Sequence, residues 1–295
     1  MEKTYTSCRK DYPVFYYTNY EVHETASDLA VTYHFEIPGL SSFAPTWCFP
    51  KKTGDTTNWS EDPVLLRTIF SLGMVELVSY WKIACPPKVI VKAGIVNDVQ
   101  ISWWKKLYYQ GLGEFFYING IEADPDTFME LVCEPSGDVL QNPDIFSFTD
   151  SASDVTPAAS DCGCLIPVGG GKDSACTIEM LKKSGHPLYT YIINPRGATL
   201  STVKVSGLSE DHSIHVKRTL DKNMLELNRQ GFLNGHTPFS ALVAFSSVIT
   251  ARMYGLKYVA LSNESSANES TVAGSTVNHQ YSKSFEFEQD FHTYE

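Results

Sequence analysis

The chain is poor in positive charge, in paired cysteines and in uninterrupted apolar runs. Its 23 Lys and Arg stand against 34 Asp and Glu, a formal net charge of −11 over 295 residues. A nucleic-acid binder needs a net basic face to displace counterions from phosphates, so that class of partner is disfavoured. A nucleotide substrate, which needs only a local cationic pocket, is not. The seven cysteines are an odd number scattered from Cys8 to Cys176, which is no disulfide framework. Their only close pair, Cys162-Gly163-Cys164, falls one residue short of the CxxC spacing of zinc and redox sites. Buried thiols beside a strand are expected there rather than a metal site. The start, MEKTYTSCRKDYP, lacks the apolar stretch of a signal peptide. No run approaches the ~18 apolar residues of a membrane span. The expectation is a reduced, cytoplasmic protein without membrane contact, in which the Asn-x-Ser triplets at Asn58, Asn263 and Asn268 carry no glycosylation meaning.

What is present is the composition of a folded protein: 43 % hydrophobic and 19 % charged residues. At roughly 150 residues per domain the length suggests two domains. Residues 1–133 read as a smaller α+β unit. Leu29, Val31, Tyr33 and Phe35 alternate onto one face of a half-buried strand. Pro63 opens a helix-like stretch, PVLLRTIFSLGMVELVSYW, at a first-turn position. Residues 134–162, rich in Pro, Ser, Asp and Gly, read as a linker or long surface loop. Residues 163–295 have the cadence of a parallel α/β sheet, with strands at 164–168, 188–193, 213–216 and 257–261. A helix starting near Asp173 should stop at Gly185, and a buried one, capped by Thr237-Pro238, at Gly255.

The sharpest chemical signal is VGGGKDSACTIEML, residues 168–181. Gly169, Gly170 and Gly171 leave an apolar strand and enter a helix, so backbone amides can approach an anion closely and the helix dipole favours it. Lys172 adds a charge, Ser174 a hydroxyl, and Asp173 a carboxylate able to hold Mg2+ against phosphate oxygens. The GxxxxGK[ST] pattern fails, because Asp173 follows Lys172 where Ser or Thr must stand. Further polar turns follow the later strands: Asn194-Pro195-Arg196, then Ser262-Asn263-Glu264 and Asn268-Glu269. The run from Asn278 to Lys283 gathers imidazole, phenol and amine.

GGGKDS resembles the SGGxDS signature of PP-loop ATP pyrophosphatases, with Gly169 in place of the first Ser. VGGGKDS, INPR, KRTLD, LNGHTP, LSNESSANE and VNHQYSKSFEFE together, with LGMVELVSYWKIACPP and WWKKLYYQGLGEFFYINGI, resemble the MurL family of bacterial UDP-N-acetylmuramoyl-L-alanyl-L-glutamate epimerases. That resemblance implies a PP-loop (adenine nucleotide α-hydrolase-like) sheet domain preceded by the α+β unit, using ATP and Mg2+. The implied substrate is UDP-MurNAc-L-Ala-L-Glu, whose terminal L-Glu is inverted through an acyl-adenylate with release of AMP and diphosphate. Gly169, Gly170, Gly171, Lys172, Asp173, Ser174, Asn194 and Arg196 are then expected to hold the nucleotide, and Asp173 the metal. His279, Lys283, Tyr281 and Glu264 are the candidates for proton transfer, Arg196 and Arg218 for anchoring phosphate or carboxylate. Members of that family continue past the NHQYSKS motif, so the second domain is expected to be cut short, with four strands where a PP-loop sheet has five. The alternatives are another PP-loop ligase or tRNA-modifying enzyme, and a nucleotide-binding module without turnover.

Overall fold

The computed structural model describes residues 3–141, 161–263 and 280–294. In chain order the strands are β1 (Val14–Glu24), β2 (Asp28–Ile37), β3 (Ser41–Phe43), β4 (Thr46–Pro50), β5 (Lys88–Val91), β6 (Glu130–Cys133), β7 (Asp161–Pro167), β8 (Leu188–Ile193), β9 (Ser213–Thr219) and β10 (Leu256–Val259). The helices are α1 (Tyr5–Asp11), α2 (Pro63–Trp81), α3 (Asp98–Gly111), α4 (Gly113–Ile118), α5 (Gly137–Gln141), α6 (Lys172–Leu181), α7 (Gly197–Ser206), α8 (Lys222–Arg229), α9 (Phe239–Tyr254) and α10 (Phe285–Tyr294).

The strands form one mixed sheet in the order β10-β7-β8-β9-β4-β2-β1-β5-β6, with β3 beside β2. The pairs among β10, β7, β8 and β9 are parallel, as the alternation of apolar runs and helices implies. Among the described residues this parallel part of the sheet has four strands. On the far side of β9 lies β4 of the N-terminal half, antiparallel, with Trp47 opposite Arg218. The two zones thus meet edge to edge in one sheet, and side chains of both enter one apolar core.

Alternation along the strands sorts the layers. In β7, Cys164, Ile166 and Val168 just beyond it pack with Ile178 of α6 and Val203 of α7. Leu165 points the other way, into the core shared with α9. The alternation read in β2 holds, since Leu29, Val31, Tyr33, Phe35 and Ile37 are all buried. The Cys164 thiol is buried and its pKa raised by that burial.

Against expectation, α2 is long and apolar enough to cross a membrane; Arg67 and Glu76 interrupt the run and hid it in the sequence. Here 83 % of its apolar stretch is buried in the protein. Asp62 caps it through Leu65 N–H, with Pro63 in the first turn. Gly73 allows the helix to lie close on β1 and β2, because a Cβ there would overlap the rings of Tyr17 and Tyr33. Asp62 also holds Arg252 of α9 (2.7 Å), which fastens the two core helices together. The start of α9 differs from the sequence reading. Pro238, not Thr237, is the cap residue and no side chain caps the helix. Gly185 and Gly255 do take the left-handed conformation that ends the preceding helices.

Candidate active site

Chain order along the parallel half fixes where a ligand can sit. β7 is followed by β8 and β9 on one side, whereas β10 returns to the other, so the order reverses between β7 and β10. Loops leaving the carboxyl ends of strands at such a point diverge and open a crevice. The loop after β7 is the glycine run, and the loop after β10 begins at Ala260 and includes Ser262 and Asn263.

Gly170 has φ +82°, and a Cβ there would stand 2.9 Å from the Ala198 carbonyl carbon and the Thr199 nitrogen. It must be glycine on both counts. Gly169 and Gly171 meet nothing on the side where a Cβ would project, and that open space is what an approaching anion requires. Gly171 caps α6 without any side-chain hydrogen bond, so the first amides of α6 face the loop with no side-chain acceptor at the cap. Ser262 Oγ, in the loop after β10, is buried with no hydrogen-bond partner among the described residues. These features fit the phosphates of a nucleotide: a cradle of amides, room for oxygens and an unused hydroxyl.

Lys172 and Asp173 occupy the first turn of α6, their charged ends 4.0 Å apart, with Lys172 largely exposed and Asp173 about half exposed. Ser174 is buried and donates to the Gly171 carbonyl (3.1 Å), so its hydroxyl braces the loop. Among the described residues no three His, Cys, Asp or Glu side chains gather as a metal site. The half-exposed carboxylate of Asp173 is a hard oxygen donor of the kind Mg2+ takes.

Asn194 is used differently from the expectation. Its φ is +50° and its amide pairs with the β9 backbone, accepting from Arg218 N (2.9 Å) and donating to Arg218 O (2.8 Å). Its side chain is committed to the sheet, which corrects its assignment as a direct nucleotide contact. Arg196 is exposed at the cap of α7. Its backbone N–H donates to Thr199 Oγ1, and its guanidinium has no ion pair among the described residues.

Arg218 does not anchor a ligand either. It is bound to Glu76 in the core, Nη2 to Oε1 at 2.7 Å and Nε to Oε2 at 3.0 Å. Lys82 lies in the same buried neighbourhood and donates to the Gly235 carbonyl (2.5 Å). Burial, with Arg218 nearby and only partly offset by Glu76, lowers its pKa to about 8. Glu76 and Lys82 were missed, although a lone carboxylate inside an apolar helix is a readable signal that a cation must meet it. Another missed pair is His236 Nδ1 with Glu114 Oε2, 2.6 Å apart and exposed, in the LNGHTP stretch.

Tyr281 is the clearest correction. It is 1 % exposed. Its hydroxyl donates to Asp290 (2.5 Å) and accepts from Trp103 Nε1 (3.2 Å). Burial first, then Asp290, hold its pKa far above 10. It is a latch between α10 and α3, not a proton carrier. Lys283 is exposed on the three-residue turn beside it. His279 and Glu264 lie outside the described residues.

The family profile for the MurL N-terminal domain matches residues 6–295. This chain belongs to that family. Three curated relatives carry the name UDP-N-acetyl-alpha-D-muramoyl-L-alanyl-L-glutamate epimerase. The protein from Xanthomonas oryzae pv. oryzae is 31 % identical over 76 % of this chain and 46 % of its own length. The one from a Micromonospora species is 31 % identical over 75 % of this chain and 46 % of its own. The one from Salinispora tropica is 30 % identical over 75 % and 45 %. The chain therefore spans less than half of these family members. No solved structure matches it significantly.

Proposed function

We propose that this chain carries the ATP-binding part of an epimerase that inverts the terminal L-Glu of UDP-MurNAc-L-Ala-L-Glu, a cytoplasmic step in making peptidoglycan precursors. The observation that carries the reading is the glycine loop: an open amide cradle at the reversal point of a parallel sheet, in a chain of the MurL family. The loop amides, Lys172 and the first turn of α6 would hold the phosphates, with Arg196 reaching the same crevice from the cap of α7. ATP is the reactant this crevice suits; Asp173 would hold an accompanying Mg2+, which would supply charge neutralisation at the phosphates.

The need for ATP follows from acidity. Removing the Cα proton beside a free carboxylate would create a dianionic enolate. When a carboxylate oxygen attacks the α-phosphorus and the bond to the β-phosphate breaks, diphosphate leaves and that negative charge is masked. The Cα proton then falls within reach of an ordinary side-chain base, and reprotonation on the opposite face with hydrolysis gives D-Glu and AMP. Positioning and charge stabilisation are the loop's contributions. His279, Lys283 and Glu264 remain the proposed proton carriers.

The test is isotope exchange between labelled diphosphate and ATP. Exchange that requires UDP-MurNAc-L-Ala-L-Glu supports adenylation of that substrate. Binding of ATP without exchange favours the module without turnover.

A further inference from the structure

A line of contacts that the chemistry above does not use ties the crevice to the N-terminal half of the chain. It begins at Glu76, fully buried in the apolar helix α2. An isolated carboxylate there would carry a large desolvation penalty. Arg218 meets it with two nitrogens, and Trp47 Nε1 of β4 donates to the same group at 3.3 Å. Arg218 Nη2 also reaches Ser79 Oγ, one turn further along α2 (3.3 Å). The guanidinium is therefore fixed to α2 at several points.

The backbone of Arg218 continues the line. It both gives a hydrogen bond to and takes one from the Asn194 side chain. That pairing holds Asn194 at φ +50°, a region a residue with a Cβ seldom occupies. Two residues later Arg196 caps α7, and the first turn of α7 is the surface against which Gly170 rests.

We infer that Glu76, Arg218 and Asn194 are positioning residues for the nucleotide loop. They transmit the rigidity of the core helix α2 to the turn after β8, and through α7 to Gly170. This rests on the glycine loop being the nucleotide site. It gives the N-terminal half a task in nucleotide binding: without α2 the turn bearing Arg196 has no fixed origin. The strained conformation of Asn194 is explained by the same line, because the two hydrogen bonds that favour it also set the direction in which α7 departs.

The test uses the whole chain, with MgATP as ligand and amide hydrogen exchange as a readout independent of it. Asn194 is exposed, so Asn194→Ala leaves the core intact while removing both bonds to Arg218. Amides 196–199 and 169–173 should exchange faster, and the Kd for MgATP should rise about tenfold or more. Asn194→Asp, which keeps the acceptor for Arg218 N–H, should recover part of the loss. Glu76→Gln should loosen the same amides, and its effect on Kd should combine with that of Asn194→Ala less than additively, since both act through Arg218. A merely structural role would lower the Tm of Glu76→Gln and leave the Kd of the folded protein unchanged. Unchanged exchange and unchanged Kd in folded Asn194→Ala overturn the inference while the nucleotide reading stands. A wild-type chain that does not bind MgATP overturns that reading, and this assignment with it.

Discussion

Gly170 rests against Thr199: a Cβ on the glycine would come within 2.9 Å of the Thr199 nitrogen, at a φ of +82°. The glycine loop and the first turn of α7 are therefore one packed unit. Gly170→Ala should cost about 1–2 kcal/mol from the left-handed backbone alone, with the overlap added. MgATP binding should be lost in the folded variant. Urea unfolding and nucleotide titration check both outcomes. Gly169 has neither constraint, so Gly169→Ser should fold normally and tighten binding of diphosphate by one hydroxyl contact.

Asp173→Ala should leave the fold intact, because the side chain is about half exposed. Diphosphate release should fall by about 10²–10³-fold if the carboxylate places the metal on the phosphates. Unchanged turnover would remove Asp173 from the site.

Tyr281→Phe tests the latch. It removes the bond to Asp290 and leaves Trp103 Nε1 without its acceptor. A loss of about 1–3 kcal/mol in urea unfolding is expected. The pH profile of turnover should keep its shape, since this phenol does not titrate in the working range. A profile that loses one limb would restore Tyr281 as a proton carrier.

Lys82 predicts a pH dependence of stability. Its folded pKa of about 8 lies below the ordinary 10.5. Between those values the unfolded chain binds a proton that the native protein does not, so this group's contribution to stability falls as pH drops from 10.5 to 8. Buried cysteines titrate oppositely nearby, so the difference between variants is the useful quantity. Relative to wild type, Lys82→Met should gain stability as pH falls through that window and level off below it. Thermal unfolding across the range checks the sign.

The parallel half of the sheet was largely legible. Its strands are short apolar runs and its loop is three consecutive glycines, both local signals. The β4–β9 pairing was not, because Trp47 and Arg218 are far apart in sequence and no local pattern sets which edges meet. Asn194 was recognised as a turn residue, yet its side-chain partner depends on where β9 lies. Tyr281 was misassigned for a similar reason. A Tyr in a polar motif reads as chemistry, and only the packing of α10 on α3 reveals a buried phenol with both partners taken. The missed apolar length of α2 shows how one Arg and one Glu, each with a partner, disguise a core helix.

The most direct measurement is incubation of the protein with MgATP and UDP-MurNAc-L-Ala-L-Glu in heavy water, followed by analysis of the terminal glutamate and the nucleotide. Deuterium at Cα of a D-Glu product, formed together with AMP and diphosphate, is the expected result. A product with no deuterium at Cα, and no AMP formed, would contradict adenylation-linked epimerisation by this chain.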